Sequence, residues 1–294
     1  MEVVNLNHPI DPTHLMNSEP CVMALGFFDG VHKGHRKIIE TAKEIAKRLK
    51  IKFTIMTFFP HPSNIISKND KIDHYISPLP VKKEIFASMG VEKLFIVNFN
   101  RDFSKLSHQQ FIEQYIIGLR CQHVVAGFDF TYGFKGQGNM DQMLLDSKGR
   151  FGVTTISKLE HNHEKMSSSI IRKMLNSGKV QDIPMYLEDY YSIKGKIVKD
   201  QTINHNESVL KIDIDRSYHL PKKGLYKIKA KLDNLIFFGT FYVPVHNTGT
   251  IEFHLLNSEI SHRKGEIILY FIEEEVKDST HYTVQEDEKM FILI

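Results

Sequence analysis

Two histidines lie three residues apart in a glycine-rich segment, and both residue types suit phosphate binding. Residues 26–35 read G-F-F-D-G-V-H-K-G-H, and the candidate binding residues in this segment are Gly26, Phe27, Phe28, Asp29, Gly30, His32, Gly34 and His35. Glycines let the backbone approach a phosphate closely, and each imidazole can donate a hydrogen bond to a phosphate oxygen. The segment therefore predicts a site for the triphosphate of a nucleotide.

Other kinds of site fit this segment less well. It lacks the G-K-[ST] of a Walker loop and the G-x-G-x-x-G of a dinucleotide site. H-x-x-H spacing can bind Zn²⁺, but neither cysteine lies near and no third ligand is obvious. A random H-x-x-H is ordinarily a pair of exposed histidines without a role, whereas the glycines and the strand-to-helix context here favour an anion ligand.

A second group with phosphate chemistry is the run S-S-S-I-I-R at residues 167–172. Its candidate residues are Ser167, Ser168, Ser169 and Arg172. Serine is a favoured N-cap, so a plain helix start is the simpler interpretation. Combined with the first loop, hydroxyls and a guanidinium at a second helix N-terminus predict a clamp for phosphate groups.

Two further segments carry residues that become candidates through the family resemblance described below. Residues 57–62 read T-F-F-P-H-P, and residues 127–133 read G-F-D-F-T-Y-G. Their candidates, with one asparagine a few residues further on, are His61, Pro62, Gly127, Asp129 and Asn139. The simpler interpretations are a rigid proline turn in the first segment and, for Asp129 and Asn139, side chains that only cap turns.

The elements that position these residues alternate between short apolar runs and helical periodicity. This alternation predicts a Rossmann-like α/β domain of parallel strands joined by crossover helices. The five predicted strands are residues 21–26, 51–58, 93–99, 123–127 and 152–156. The first loop then lies at the carboxyl end of a strand, where such folds bind ligands.

Three local signals place helices between these strands. The apolar spacing of residues 38–49 predicts one buried helix face. Ser107 and Gln110 have the spacing of a capping box at the start of another helix. Ser167 opens a short helix that Gly178 ends.

From about residue 190 the pattern changes to short β-rich runs with no long helix between them. The six runs are residues 192–198, 209–214, 225–232, 235–243, 250–256 and 266–272. Strands at this spacing predict a small antiparallel β-barrel, because closing the sheet removes exposed edges. The sequence thus predicts two domains, residues 1–187 and 188–294.

Composition excludes several classes of protein. The 294 residues suffice for two domains, and 41% hydrophobic with 25% charged residues is typical of globular proteins. Lys plus Arg number 38 and Asp plus Glu 35, so the net charge of +3 argues against a nucleic-acid-binding surface. Two cysteines, no signal-peptide pattern and no apolar segment of about 18 residues predict a cytoplasmic protein without membrane contact.

Taken together, the motifs resemble the nucleotidylyltransferase half of bacterial bifunctional riboflavin kinase/FMN adenylyltransferases, the FAD synthetases. Five blocks occur in that family's order, with Ser169 where the family has Thr, at residues 26–35, 57–62, 103–107, 127–139 and 167–172. The resemblance implies that the phosphate of FMN attacks the α-phosphorus of ATP, giving FAD and pyrophosphate. Mg²⁺ is expected with ATP, and the sequence identifies no carboxylate cage for it.

The resemblance also implies roles for particular residues. Those expected to contact the substrates are His32 and His35 at the ATP phosphates, Ser168 and Arg172 at the β/γ end, and Asn139 with His61 on the ATP and flavin side. The other candidates named above are expected to line the same site.

The second half resembles the family's riboflavin kinase domain in strand rhythm but departs from its signature. The resemblance implies a glycine-rich G-F-P-T-A-N segment whose Thr and Asn bind Mg²⁺ and ATP phosphates, whereas residues 206–213 read N-E-S-V-L-K-I-D. Glu252 does occupy the position of the family's catalytic base. A polar tail, residues 277–289, stands where the family has a closing helix. These departures predict a degenerate barrel without kinase activity.

The sequence therefore predicts an FMN adenylyltransferase followed by a degenerate kinase-like barrel. Three alternatives stay open: a bifunctional synthetase with divergent kinase residues, a non-catalytic flavin-binding regulatory protein, and an adenylyltransferase for another phosphorylated acceptor. The expected partners are the small molecules ATP and FMN, with no nucleic acid and no membrane. A homo-oligomer is compatible with the sequence.

Overall fold

A parallel sheet of six strands organises the first part of the chain. The computed structural model describes residues 1–161, 164–204, 207–233, 235–244, 249–256 and 264–275. The strands are β1 (Glu2–Leu6), β2 (Cys21–Leu25), β3 (Lys52–Phe59), β4 (Lys93–Asn98), β5 (Cys121–Gly127) and β6 (Gly152–Ile156). Their order in the sheet is β1-β4-β3-β2-β5-β6, with parallel pairing throughout.

The predicted α/β class is confirmed, with one strand more than the five predicted. The additional strand, β1, pairs with β4 at one edge of the sheet. Only Leu6 of its five residues is buried, so the segment lacks the apolar run by which the other strands were predicted. Its strand conformation depends on pairing with β4, which a local pattern does not reveal.

Helices cover both faces of the sheet. They are α1 (Pro12–Met16), α2 (Lys33–Leu49), α3 (Ser63–Ile66), α4 (Leu79–Ser88), α5 (His108–Phe111), α6 (Met140–Ser147), α7 (Ser168–Ser177) and α8 (Pro184–Leu187). Val22 and Ala24 of β2 pack in a core with α2 and α4, while Met23 and Leu25 pack in a second core with α5. Successive side chains of a strand point to opposite faces, which explains the continuous apolar run of a doubly covered strand.

The predicted helix signals are borne out by the structure. Ser107 Oγ accepts a hydrogen bond from the Gln110 amide at 3.1 Å, and Gln110 Oε1 accepts one from the Ser107 amide at 2.9 Å. The helix then continues from α5 as a π-helical turn, Ile112–Ile117. At the end of α7, Gly178 has a φ of 81°, a left-handed conformation that glycine adopts without strain.

A closed antiparallel barrel forms the second part, as predicted. Its strands are β9 (Ser192–Asn204), β10 (Glu207–Ile214), β11 (Gly224–Leu232), β12 (Leu235–Val243), β13 (Thr250–Leu256) and β14 (Gly265–Glu274), after a two-stranded hairpin of β7 (Glu160–His161) and β8 (Glu164–Lys165). The barrel order is β10-β13-β12-β11-β14-β9, and β9 closes on β10. Alternate side chains of β11 and β14 fill the interior.

The last helices of the first part pack in the apolar core of the barrel. Ile171 and Leu175 of α7 and Tyr186 of α8 pack in the same cluster as the barrel interior. Apolar contact therefore continues across residue 187, where the sequence predicts the domain boundary. The position of that boundary stays a prediction. Asn206 and the predicted polar tail, residues 277–289, lie outside the described residues. In the part of the chain that the structure describes, no helix is both long and apolar enough to cross a membrane.

Candidate active site

Two adjoining cavities open where β2 and β5 end side by side in the sheet. Their volumes are about 500 Å³ and 240 Å³. The predicted residues that line the larger cavity are Gly26, Phe27, Phe28, Asp29, His35, His61, Pro62, Gly127, Asp129, Ser168, Ser169 and Arg172. The smaller cavity adds His32, Gly34 and Ser167. Strand order reverses at this point of the sheet, and ligands of doubly wound folds bind in that crevice.

The loop between β2 and α2 depends on its glycines for its own packing. Gly30 has a φ of 78°, and a Cβ there would lie 3.0 Å from the side chain of Ile76. A Cβ on Gly26 would lie 2.8 Å from the ring of Phe28, which itself has a positive φ of 57°. Glycine is therefore required here by the turn and by the buried ring. Gly30 lines neither cavity.

Asp29 joins this loop to the start of α7. Its carboxylate accepts hydrogen bonds from Arg172 Nη2 at 2.5 Å and from the Ser77 amide at 3.0 Å. Its backbone carbonyl accepts one from Ser168 Oγ at 2.8 Å. Asp29 is buried, and a buried carboxylate is tolerated when it is paired and hydrogen-bonded. The structure thus brings together the two segments that the sequence predicts to bind phosphates.

Arg172 keeps donors for a ligand while it contacts Asp29. Its Nη1 donates to His219 Nδ1 at 3.1 Å, and its Nη2 donates to Asp29. A guanidinium has five N–H donors, of which these contacts use two. Among the described residues no further hydrogen bond of Arg172 is found, so its remaining N–H groups can bind phosphate oxygens.

His32 and His35 form a stacked pair at the start of α2. Their ring centroids lie 3.6 Å apart, and His32, the N-cap residue, accepts a hydrogen bond from the His35 amide at 3.4 Å. Burial lowers the pKa of His32 to about 4 and the pKa of His35 well below its usual value. Both rings are therefore neutral at pH 7 and each offers one N–H donor. His35 Nδ1 is buried without a hydrogen-bond partner among the described residues.

His61 is oriented by the turn that follows it. Its Nδ1 accepts a hydrogen bond from the Ser63 amide at 3.1 Å, which leaves the ring proton on Nε2. The ring packs edge-on against Phe27 at 4.4 Å between centroids. Burial lowers the pKa of His61 to about 4. His61 therefore presents a neutral donor to the larger cavity, which Pro62 also lines.

The smaller cavity lies between two helix N-termini. Backbone N–H groups at the starts of α2 and α7 make such a position favourable for an anion. Lys158 and Lys165 also line it, and Lys165 Nζ contacts Asp129 Oδ2 at 2.6 Å. The sequence prediction included Asp129 but assigned no role to the two lysines. The two lysines lie in a polar stretch of the sequence, and they line the same cavity as Ser167.

Lys82 was not predicted either. Its side chain is fully buried in α4, and its Nζ donates to the Phe27 carbonyl at 2.8 Å and lies 4.0 Å from the centre of the Phe27 ring. Burial lowers the pKa of Lys82 to about 8, against the opposing effect of Asp29. The contact joins residues 55 positions apart, so no local pattern indicates it.

Two predicted residues occupy N-cap positions of helices. Asn139 is exposed, and its side chain accepts a hydrogen bond from the Gln142 amide at 2.8 Å as the N-cap of α6. It lines neither cavity, so its contact with ATP and flavin stays a prediction. Ser167 is the N-cap residue of α7 but makes no side-chain capping bond.

The carboxylates of the site do not form a metal cage. Asp29 is paired with Arg172 and Asp129 with Lys165. In the described part of the chain, no group of three or more His, Cys, Asp or Glu side chains is placed to hold a metal ion. The described residues thus provide no cage of three or more such ligands for Mg²⁺.

The segment that departs from the kinase signature is a strand, with two irregularities in its pairing with β9. Residues 207–213 of β10 pair with β13 on one side and with β9 on the other, and Leu210 and Ile212 are buried. Glu252 of β13 lies directly opposite Lys211 of β10, and the two side chains form an ion pair at 3.1 Å. About half of the Glu252 side chain is exposed, 53%. The carboxylate is thus on an open face of the barrel.

Comparison with known proteins gives consistent matches. A profile of the FAD synthetase family matches residues 14–170. A Bacillus subtilis (strain 168) protein named bifunctional riboflavin kinase/FMN adenylyltransferase is 39% identical over 271 residues, covering 87% of this chain and 84% of that protein. A Listeria monocytogenes protein of the same name is 37% identical and covers 79% and 74%. A second Listeria protein, named FAD synthetase, is 28% identical and covers 82% and 94%.

A solved structure matches over nearly the whole chain. It is titled as a macrolide-efflux protein from Streptococcus pneumoniae, with a TM-score of 0.77 and 20% identity, and the match covers 94% of this chain and 100% of that one. At this identity the similarity shows the fold alone. It shows that the sheet and the barrel occur together in another protein.

Proposed function

We propose a function from the premise that this chain belongs to the FAD synthetase family: it transfers the AMP group of ATP to FMN. A phosphate oxygen of FMN attacks the α-phosphorus of ATP. The bond from that phosphorus to the β-phosphate oxygen breaks, and pyrophosphate leaves with the electron pair. FAD is the other product, and the direct attack requires no covalent intermediate on the protein.

The observation that carries this proposal is the junction at Asp29. A transferase of this kind must hold a triphosphate along its length, so phosphate donors are needed from more than one segment. The hydrogen bonds from Ser168 and Arg172 to Asp29 fix α7 against the histidine-bearing loop. Both helix N-termini then border the same pair of cavities.

We assign the phosphate contacts to four side chains. His32 and His35 donate hydrogen bonds to the ATP phosphates as neutral imidazoles. Arg172 binds the β/γ end through its remaining N–H groups and stabilises the charge that develops on the leaving pyrophosphate, and Ser168 joins it when its hydroxyl turns from the Asp29 carbonyl to a phosphate oxygen. The reaction barrier is lowered because these donors align the two anionic substrates, ATP and FMN. Donors that are already fixed in position also need no reorganisation during the reaction.

The larger cavity suits a flat aromatic acceptor. Aromatic side chains that line it include Phe27, Phe58, Phe99, Phe103, Phe130 and Tyr132. Rings of this kind bind a tricyclic flavin through stacking and apolar contact. We assign His61 and Pro62 to this side of the site and keep Asn139 as a predicted contact. Mg²⁺ is treated as part of the ATP substrate, because the described carboxylates offer no cage for it.

We further propose that the barrel does not phosphorylate riboflavin. The main-chain groups of β10 are engaged in ladders with both neighbours, so they are not available to bind ATP phosphates. Lys211 pairs with Glu252, which further weakens the case for this carboxylate as a base. Some related proteins are named for two activities, riboflavin kinase and FMN adenylyltransferase, and another is named FAD synthetase alone. The arrangement of β10 favours the single activity for this chain.

The experiment is to incubate the full-length protein with ATP-Mg²⁺ and either FMN or riboflavin, and to separate the flavins by chromatography. We expect FAD and pyrophosphate from FMN and no product from riboflavin. No FAD from folded protein at saturating substrates would overturn the first proposal and favour a non-catalytic flavin binder. Another phosphorylated acceptor, used in place of FMN, would identify a different adenylyltransferase.

We place the protein in the cytoplasm, where ATP is abundant and thiols stay reduced. Cys21 and Cys121 are both buried as free thiols, which suits a reducing compartment. Its partners are then the small molecules ATP and FMN. Self-association stays a prediction, and light scattering of the purified protein measures it.

A further inference from the structure

The barrel contributes one side chain to the surroundings of Arg172. His219 lies in the segment that joins β10 to β11, 47 positions from Arg172 in the chain. A guanidinium is always protonated, so the 3.1 Å contact requires His219 Nδ1 to accept the hydrogen bond from Nη1. The ring proton is therefore on Nε2, which donates to Asn176 Oδ1 at 2.8 Å. Burial lowers the pKa of His219 to about 4, and the neutral ring does not repel the arginine.

The backbone of the same segment is fixed from both parts of the molecule. The His219 amide donates to the Tyr75 carbonyl at 2.9 Å, and the Tyr75 amide donates to the Ser217 carbonyl at 2.6 Å. The hydroxyl of Tyr191 donates to the His219 carbonyl at 2.8 Å. His219 thus has little freedom to move away from Arg172.

Tyr75 carries this connection on to the acceptor side of the cavity. Its hydroxyl accepts a hydrogen bond from the His61 amide at 3.4 Å, and its ring centroid lies 5.8 Å from that of Phe27. The barrel segment therefore borders the site in two places, at Arg172 and, through Tyr75, at His61.

We infer that His219 is a positioning residue for adenylyl transfer, which holds the guanidinium of Arg172 in the plane that binds the β/γ phosphates. Asp29 holds Nη2 and His219 holds Nη1, so the two contacts together fix the rotation of the planar group. With Asp29 alone, the guanidinium can pivot about a single contact. A small misplacement of a binding group lowers the reaction rate, because the site accelerates the reaction by aligning its two substrates.

This inference rests on the proposed function and gives the barrel a part in it. A barrel that has lost its own phosphate-binding segment is then still needed, because the loop after β10 completes the site in the sheet domain. The role uses the barrel as a fixed support and does not require it to bind a nucleotide.

The test uses three substitutions in the full-length protein: His219→Ala, His219→Asn and the matched control His123→Ala. His123 is a partly buried histidine at the other end of β5, where it contacts Thr154. We expect His219→Ala to lower kcat/KM for ATP by about tenfold with the KM for FMN unchanged. His219→Asn places an amide oxygen where Nδ1 accepts, so it should recover at least about threefold of that loss. The control should stay within about twofold of the wild type.

A double-substitution cycle separates positioning from general packing. If His219 acts through Arg172, adding His219→Ala to Arg172→Ala should lower kcat/KM by less than about twofold more. A full tenfold loss on the Arg172→Ala background, or no loss in His219→Ala alone, would overturn the inference. Thermal unfolding identifies a variant that fails to fold, and the asparagine variant then decides between the outcomes.

Titration of ATP-Mg²⁺ by calorimetry keeps the two proposals distinguishable. Absence of FAD from the wild type removes the proposed function, and weaker ATP binding by His219→Ala, with partial recovery in His219→Asn, would still support positioning of Arg172. Formation of FAD at equal rates by wild type and His219→Ala removes the positioning role alone.

Discussion

The two segments in which the resemblance places phosphate-binding loops have opposite backbone arrangements. Residues 26–35 leave the parallel sheet after β2, and their turn requires glycine at position 30. Residues 207–213 of β10 instead pair with strands on both sides. Main-chain amides can bind an anion only when no ladder uses them. The comparison shows a barrel with a complete architecture in which the segment that the resemblance assigns to phosphate binding is paired on both sides.

The side chains around the two segments also differ, in how many polar groups come together at each. Near the first loop, Ser168 and Arg172 converge from a distant helix on Asp29, which is buried. In the barrel, Glu252 is half exposed and its one ion pair among the described residues is with Lys211. Convergence of several donors on one cavity is what phosphate transfer needs, and a single surface carboxylate does not supply it.

Arg172 offers the largest effect with which to test this contrast. Arg172→Ala should lower kcat/KM for ATP by about 10³-fold, the scale for loss of a cation that stabilises a developing phosphate charge. It also leaves Asp29 buried without its partner, which should lower the free energy of unfolding by about 3 kcal/mol or more. Kinetics at saturating FMN and urea unfolding measure the two effects.

Arg172→Lys serves as the matched variant. A lysine restores charge but not two parallel N–H donors, so recovery should be partial. Full activity of this variant would mean that the site needs charge alone. A selective loss of FMN affinity in either variant would place Arg172 on the acceptor side.

The stacked histidines come next in expected effect. His32→Ala or His35→Ala should each lower turnover by roughly 10²-fold, the scale for one charge-stabilising donor. His123→Ala is the control, because His123 lies away from both cavities. Steady-state FAD formation is the measurement. Unchanged rates in both loop variants would remove these histidines from the mechanism and weaken the contrast with the barrel.

The burial of His32 in the first of these segments also predicts a pH dependence of stability. The pKa of His32 is lowered by burial from 6.5 to about 4, so between these values the unfolded chain binds a proton that the folded chain does not. The free energy of unfolding therefore falls as the pH falls from about 6.5 to 4, by up to about 3 kcal/mol for this group, and the loss then levels off.

His32→Asn isolates that contribution. Asparagine is a favoured N-cap residue, so it keeps an acceptor at the start of α2 and removes the titrating ring. Urea unfolding by circular dichroism at several pH values should give a shallower pH slope for the variant than for the wild type. Equal slopes would mean that the ring is accessible to protons in the folded protein.

Much of the site follows from local order along the chain, and the rest depends on distant contacts. The loop at residues 26–35 could be placed at a sheet edge because an apolar strand precedes it and an amphipathic helix follows it. Lys82 and His219 could not be predicted, since each contacts the site from a different element. Likewise β1 becomes a strand only through its pairing with β4.

The smallest expected effect, and the one that tests the barrel directly, is that of Glu252→Ala. Its ion pair with Lys211 is solvent-exposed, and such pairs contribute about 1 kcal/mol or less, so stability should hardly change. FAD formation should stay within about twofold of the wild type, because Glu252 lines neither cavity of the sheet domain.

Riboflavin is the substrate that makes this variant decisive. A general base contributes about 10²- to 10⁴-fold, whereas positioning of the reactants can contribute far more, so Glu252 without a phosphate-binding segment should give no useful rate. The wild type and Glu252→Ala should therefore both fail to form FMN from riboflavin and ATP-Mg²⁺. FMN formation that disappears in Glu252→Ala would demonstrate a second active site. The ladder of β10 would then have to open to admit ATP, and the contrast between the two segments would describe one conformation of the barrel only.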